Sequence, residues 1–354
     1  MKTHIVWFRN DLRLDDHPAL FEAAKQGPII PLFIWSPEEE TLGAAAQWWL
    51  HHALISLNAH LQKRGLALIV RQGKNLDILK EIIRETGAQG LFFNKRYEPA
   101  AKARDLHVQT TLKKQGIAVH SFEGTLLTSP KEILNSQGKP FQVFTPFWKA
   151  CQREGSPSKP LPIPRELTSS LHKLKSLPIE KLSLLPSIHW DKLIAKQWDP
   201  TIDGAHRMLK SFQKKTSHYD SSRDRPDKEG TSRLSPYLHS GQISVRTVWH
   251  AVDEPSYQRQ LYWRDFAHYL LNYFPHIAKK SLKPKFDALP WKYNQKHLRA
   301  WQKGLTGYPI VDAGMRELWA IGWMHNRVRM IVGSFLVKDL LIHWLEGANW
   351  FWDT

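Results

Sequence analysis

The 354-residue chain has one cysteine, Cys151, so it can form neither an intrachain disulfide nor a cysteine-built metal cluster. That economy suits a reducing compartment. Acid is scarce: 33 Asp and Glu stand against 50 Lys and Arg, a formal charge of +17. Long apolar runs are missing. The start, Met1-Lys2-Thr3-His4-Ile5-Val6-Trp7-Phe8-Arg9, holds too short an apolar stretch for a signal peptide. Met330 to Trp344 is interrupted by Lys338-Asp339 and is too short to span a bilayer. A soluble, cytoplasmic protein with no membrane partner is expected. The chain has no G-x-G-x-x-G and no P-loop, which argues against a standard nicotinamide or nucleoside-triphosphate site. It has no H-E-x-x-H and no G-x-S-x-G, so zinc hydrolase and serine hydrolase chemistry are unsupported and no metal site is expected.

What is present is core material. At 42% hydrophobic and 11% aromatic the chain can fill about two domains, which excludes disorder as its main description. Sixteen residues are tryptophan, eleven of them from Trp190 onward. Most must pack cores, but an indole can also stack on a base or pass an electron. The positive surplus favours polyanions, nucleic acid above all, although it also serves plain solubility.

The first third alternates short Ile-, Val- and Phe-rich runs (His4–Phe8, Ile29–Trp35, Leu66–Val70, Gly90–Asn94, Ile117–Phe122) with helical segments (Ala44–Arg64, Leu76–Thr86, Ala100–Lys114). This predicts an α/β domain over 1–128 with a doubly wound, parallel five-stranded sheet. Ligands of such sheets sit beyond the carboxyl ends of the strands, and here the first strand runs into Phe8-Arg9-Asn10-Asp11. Prolines at 157, 160, 162, 164, 178 and 186 mark an interdomain connector over 129–200. From 201 to 354 strands vanish and helical periodicity appears around 204–215, 241–252, 256–274, 295–303, 312–322 and 324–346, predicting an all-α domain.

Three stretches could carry chemistry. Tyr219 to Asp227 followed by Gly230-Thr231-Ser232-Arg233-Leu234-Ser235-Pro236 offers hydroxyls, a guanidinium and turn amides to a pyrophosphate. Taken alone, a capped helix start with surface charge explains it as well. Gln260, Trp263 and Arg264 share a helical face, which suits a flat ligand with polar edges, or a core indole beside an Arg–Asp pair. On the helix expected from Trp323, one stripe (Val328, Ile331, Val332, Phe335, Leu336) is apolar and a second holds Gly322, Asn326, Arg329 and Gly333. Helical glycines cost about 1 kcal/mol each. A close neighbour, ligand or helix, accounts for them.

The motifs then carry a resemblance. Val6-Trp7-Phe8-Arg9-Asn10-Asp11-Leu12-Arg13-Leu14-Asp15-Asp16-His17 resembles the opening of the cryptochrome/photolyase family. Gly230 to Pro236, Trp263-Arg264-Asp265-Phe266, Thr306 to Arg316 and Gly322-Trp323-Met324-His325-Asn326-Arg327 resemble four further motifs in the family's order, closest in pattern to bacterial class I cyclobutane pyrimidine dimer photolyases. The resemblance implies a light-driven DNA repair enzyme: FAD folded within the helical domain, once reduced and excited, lends an electron that splits a flipped-out dimer. It implies that Tyr219, Thr231, Ser232, Arg233, Leu234, Ser235 and Tyr257 surround the cofactor with Arg264, Asn326 and Arg329, and that Asp339 pairs with Arg329. It implies DNA or lesion contacts at Arg223, Gln260, Trp263, Asn326, Arg327 and Met330. Trp344 and Trp291 match the middle and outer members of the family's electron-hopping chain. The partner implied is DNA containing pyrimidine dimers, bound by a monomer.

Departures set the alternatives. The chain stops at Trp350-Phe351-Trp352-Asp353-Thr354, before the segment that in the family supplies acidic and Asn contacts to the flavin ring, the tryptophan nearest the flavin and the last helices of the pocket, which implies a C-terminally incomplete domain with weakened flavin binding. Gln260 stands where dimer photolyases carry Glu and is similar to six-four photolyases and animal cryptochromes, leaving the lesion open. Ala100 and Ala101 replace the Asn and Glu of folate-binding members, so the antenna is a different one, such as a deazaflavin, or none. A cryptochrome-type photoreceptor and a flavin-free DNA-binding remnant are the competing readings.

Overall fold

Runs buried on both faces become the centre of a parallel sheet, because only continuous apolar sequence tolerates helices on either side. The strands are β1 (His4–Phe8), β2 (Ile29–Trp35), β3 (Ile69–Gln72), β4 (Gly90–Asn94) and β5 (Ala118–Phe122), in the order β3-β2-β1-β4-β5. His4 sits beside Ile29 on one side and Gly90 on the other. The computed structural model describes residues 2–169 and 174–354; residues 170–173 of the expected connector lie outside the described residues.

Alternation along the strands feeds two cores. Val6, Phe8, Phe33 and Trp35 face α1 (Pro18–Ala24) and α2 (Ala44–Gln62). Ile5, Trp7, Leu32 and Ile34 face α3 (Asn75–Thr86) and α4 (Pro99–Lys114). The first core continues without a break into the helical half, through Trp49, Trp198, Tyr237 and Tyr257. That half and its approach comprise α5 (Phe144–Arg153), α6 (Lys192–Gln197), α7 (Ile202–Gln213), α8 (Tyr219–Ser222), α9 (Ser235–Ser240), α10 (Val245–Ala251), α11 (Pro255–Tyr273), α12 (Gln295–Lys303), α13 (Pro309–Ile321), α14 (Asn326–Ser334) and α15 (Trp344–Asp353). A smaller core around Trp301 and Met315 serves α12 to α15. The described helices include none long and apolar enough to cross a membrane.

Arg13, buried, locks the halves together by donating to the carbonyls of Asp16, Gly124 and Gly241. Gly241 ends α9 with φ 72°, and a Cβ there would collide with the Asn10–Asp11 backbone. The tight approach of the two halves therefore needs glycine at that point.

Three expectations are corrected. The third strand is not Leu66–Val70: the Leu66 amide donates to Leu61 O and the Leu68 amide to Asn58 Oδ1, so this stretch closes α2 before the ladder starts at Ile69. Within 129–200 the chain forms α5 and α6. The helix expected over 324–346 is two: α14 runs through a π-helical turn, Phe335–Asp339, and breaks at Leu341, whose φ is 54°, before His343 caps α15. Gly322 is the left-handed cap of α13 (φ 65°), not a helical stripe residue, and a Cβ on Gly333 would meet nothing within 4 Å. Of the three terminal aromatics, Trp350 stacks on Trp319 and Phe351 tilts against Trp301, while Trp352 is exposed.

Candidate functional site

A hollow of about 580 Å³ opens between α8, α9, α11 and α14 and the carboxyl ends of β1 and β4. Its floor is aromatic. Tyr219 packs edge-on to Tyr257 at 5.2 Å, and Phe212 lies against both. The Tyr257 hydroxyl donates to Ser232 Oγ at 3.0 Å, and Ser232 Oγ also accepts the Leu234 amide. Burial pushes the Tyr219 phenol up to about 12 and raises that of Tyr257 further, so both stay neutral. The turn 230–235 presses on α8: a Cβ on Gly230 would lie 2.5 Å from Ser222 Oγ. Arg233 adopts φ 51° and carries its guanidinium over the Trp323 ring at 4.7 Å.

Tyr219, Thr231, Ser232, Arg233, Leu234, Ser235, Tyr257, Arg264, Asn326 and Arg329 all line this one hollow, as do Arg223, Gln260 and Trp263. Arg264 reaches across from α11 to donate to Thr125 O at 2.7 Å. Arg329 differs from it. Its guanidinium lies over the Phe351 ring at 5.6 Å, and among the described residues no carboxylate pairs with it. Desolvation alone lowers its affinity for its proton. The expected Arg329–Asp339 pair is therefore absent: Asp339 ends the π-helical turn exposed, while Arg329 turns to the hollow.

At the rim, Trp263 is 46% exposed and lies flat on Phe144, 3.7 Å between ring centroids and 10° between planes. Gln260 spends its amide N–H on Ser256 O. Arg327 holds Asp224 through two bonds of 2.7 Å, and Arg223 meets the same carboxylate at 3.3 Å. Arg327 and Met330 do not line the hollow; Met330 is exposed beside Arg327, with Sδ 3.7 Å from its Nη1. Trp291 and Trp344 also lie outside it. The His343 imidazole sits between them, 5.0 Å from Trp291 edge-on and 5.7 Å from Trp344 nearly parallel, and its Nδ1 accepts the Leu345 amide.

Several residues of the site went unread in the sequence. His239 and His268 line the hollow's inner wall with Arg96 and Glu98. Burial, then Arg264, pushes His268 down to about 4, and burial lowers His239 as well, so both imidazoles are neutral at neutral pH. Burial opposes charge on Glu98, yet Arg96 outweighs it and holds the carboxyl down at about 2. The signals existed. His268 is four residues beyond Arg264 and His239 four beyond Ser235, on shared helical faces, and Arg96 follows the carboxyl end of β4. Phe144 gave no local signal. A second hollow of about 340 Å³ adjoins the first, sharing Asn10, Arg96, His239 and Arg329 and continuing to Trp35, Asn75, Arg104 and Phe351. Ala100 and Ala101 line neither.

A parallel α/β half fused by one core to a helical half, enclosing a hollow rich in arginine and hydroxyls beside an exposed tryptophan, defines a protein built to hold a large anionic cofactor. Comparison with known proteins agrees. Residues 4–165 match the family described as DNA photolyase, and residues 257–354 match the FAD binding domain of DNA photolyase. The chain is 42% identical to a deoxyribodipyrimidine photo-lyase of Agrobacterium fabrum, over 99% of this chain and 76% of that protein. It is 39% identical to cryptochrome-2 of Arabidopsis thaliana, over 100% of this chain and 62% of that protein. It superposes on the crystal structure of a bacterial class III photolyase from Agrobacterium tumefaciens with a TM-score of 0.96 at 42% identity, covering 100% of this chain and 76% of that one. The chain belongs to the cryptochrome/photolyase family, and its helical half carries the family's FAD-binding domain.

Proposed function

We propose that the chain is a light-dependent photolyase that splits cyclobutane pyrimidine dimers in DNA, with FAD in the larger hollow. The observation that carries this reading is Arg329, a guanidinium facing the hollow without a carboxylate partner among the described residues and sharing its lining with the hydroxyls of Thr231, Ser232 and Ser235. That donor set fits an anionic dinucleotide. Bound FAD would supply light-driven one-electron chemistry to the lesion.

The chain's own residues hold, orient and exclude. Tyr219 and Thr231 to Ser235 would hold the phosphates and ribityl chain, and Arg264, Asn326 and Arg329 would flank the ring system. Tyr219 and Tyr257 close the floor to water. Trp263, kept flat by Phe144, offers a stacking face to an extruded base pair, Gln260 offers an amide, and Arg223, Arg327 and Met330 shape the approach. Trp291 and Trp344 form the electron route to the surface through the His343 contact. The working division is an antenna-type α/β domain over 1–128, a connector over 129–200 and the flavin and DNA domain over 201–354, acting as a cytoplasmic monomer. Ala100 and Ala101 offer no polar group to a folate, so the α/β domain holds a different antenna, such as a deazaflavin, or none.

Purified chain supplied with FAD should remove cyclobutane dimers from irradiated DNA under blue light and not in the dark. Flavin binding without repair of either cyclobutane or six-four lesions moves the assignment to a cryptochrome-type photoreceptor. A chain that binds DNA and no flavin is the remnant instead.

A further inference from the structure

A column of flat groups leads away from Trp263, and its far end has no task in the repair reading. Trp263 lies on Phe144, 3.7 Å between ring centroids, and Phe144 lies parallel to Trp148 at 6.4 Å and 6°. The Arg259 guanidinium covers the Trp148 ring at 4.7 Å and reaches the Phe144 ring at 5.6 Å. Two helices build the column with one spacing. Arg259 and Trp263 are four residues apart on α11, and Phe144 and Trp148 four apart on α5, so each pair shares a face. Arg259 is exposed, and among the described residues no carboxylate pairs with it. Its planar cation engages the two rings instead. The start of α5 needs such a clamp. Phe144 is its first residue, and the N-cap residue, Val143, is exposed and offers no side-chain acceptor to the first turn. The end of α5 that lies under Trp263 is therefore held by ring packing. Phe266 meets Phe144 edge-on at 5.8 Å from the inner side, and Trp148 with Arg259 closes the outer side.

We propose that Arg259 and Trp148 are positioning residues for damaged DNA: acting through Phe144, they hold the Trp263 ring at the pitch that receives an extruded pyrimidine dimer. This rests on the reading of Trp263 as the stacking face for the lesion. Undamaged duplex presents no extruded base to that ring. The column therefore sets the preference for the lesion and not the affinity for DNA as such.

The test is a double-mutant cycle on the full chain, read by titrating duplexes that are identical except for one cyclobutane dimer. Arg259→Gln should lower affinity for the dimer duplex roughly twofold to fivefold, the worth of one cation–π contact. It should leave affinity for the undamaged duplex and its salt dependence unchanged, and add nothing in a Trp263→Ala background. Trp148→Ala should act in the same way by roughly twofold to tenfold, the worth of one aromatic pair. Trp148→Phe keeps a flat ring and should recover most of that loss. Unchanged binding of undamaged duplex also shows that each variant is folded. An Arg259→Gln chain that loses both duplexes alike, with a salt slope shallower by about 0.9, makes Arg259 a phosphate contact and overturns the proposal. A loss that persists in full once Trp263 is gone overturns it too. If Trp263→Ala itself leaves the lesion preference unchanged, the stacking-face reading fails and takes the proposal with it. If Trp263→Ala removes the preference while Arg259→Gln and Trp148→Ala change nothing, that reading stands and the positioning role alone is refuted.

Discussion

Replacing Asp265 by Asn should flatten one component of the pH dependence of stability. Asp265 is buried on α11, next to Arg264. Its Oδ2 accepts the Leu127 amide at 2.7 Å and the Thr128 amide at 3.3 Å, while among the described residues Oδ1 has no hydrogen-bond partner and sits 3.6 Å from Arg264. Burial outweighs Arg264 and the two amides, and the carboxyl is pushed from 3.8 to about 7. Between those values the folded chain keeps a proton that the unfolded chain has released. Stability from this group is therefore complete below about 4 and is lost as pH rises toward 7. The loss runs at ~1.4 kcal/mol per pH unit, or about 4 kcal/mol in all. Asparagine keeps the acceptor for the two amides and cannot ionise. Urea unfolding of both proteins from pH 4 to pH 8 at fixed ionic strength isolates the group, because every other titration cancels in the difference. The wild-type advantage over Asp265→Asn should fall steadily as pH rises. A difference constant within about 0.5 kcal/mol refutes the reasoning, and one that grows with pH shows that Arg264 controls the carboxylate instead.

Arg329→Ala should weaken FAD retention roughly tenfold to a hundredfold, the worth of about 1.5–3 kcal/mol for charged hydrogen bonds, with little change in the unfolding midpoint of the flavin-free chain. Equilibrium dialysis and urea melts separate the two; an unchanged FAD affinity counts against the anion-holding role. Trp263→Ala should reduce affinity for dimer-containing DNA by about 1–3 kcal/mol, a lost stacking face, and leave affinity for undamaged duplex nearly as it was. Equal loss on both DNAs in a gel-shift titration contradicts the lesion contact. Binding to undamaged duplex should weaken with added salt, log K falling by roughly 0.9 per phosphate neutralised for each tenfold rise. Affinity that is indifferent to salt overturns the electrostatic reading of the +17 charge.

What could be read in the sequence follows from how local its cause is. β1, β2 and β4 were legible residue for residue because burial on both faces writes an unbroken apolar run. β3 was misplaced because Leu66 and Leu68 are apolar for another reason, packing at the end of α2. The break between α14 and α15 is set by the left-handed Leu341 and the His343 cap, while the apolar period runs on through Phe335 and Leu336. Most of the hollow was legible because its residues cluster in three short motifs. The Arg329–Asp339 pair was carried over from the family pattern and fails, since an ion pair depends on how two backbones meet. Phe144 beneath Trp263 depends on a contact across the connector, and no nearby residue encodes it.

That contact explains why the connector belongs to the site rather than beside it. α11 turns Gln260, Trp263, Arg264 and His268 to the hollow, and residues along its length are bonded to the chain that leaves the sheet. Arg264 holds Thr125 O, Asp265 takes the Leu127 and Thr128 amides, and Tyr273 donates to Pro130 O. The Tyr269 hydroxyl donates to Ile133 O at 2.7 Å and accepts the Phe141 amide at 2.9 Å. The path from 125 to 141 is thus fixed by α11 itself, and it delivers α5 with Phe144 at its first position. Phe147, one turn on, seals the arrangement against Phe266 and Tyr269. One helix therefore sets both sides of the Trp263 stack: it carries the indole and positions the ring beneath it. A ligand face braced by packing and hydrogen bonds in this way needs less ordering on binding than a loop-borne aromatic. The buried hydroxyls of the connector side and the exposed indole of the rim side are two ends of the same device, and α11 cannot be shifted at one without moving the other.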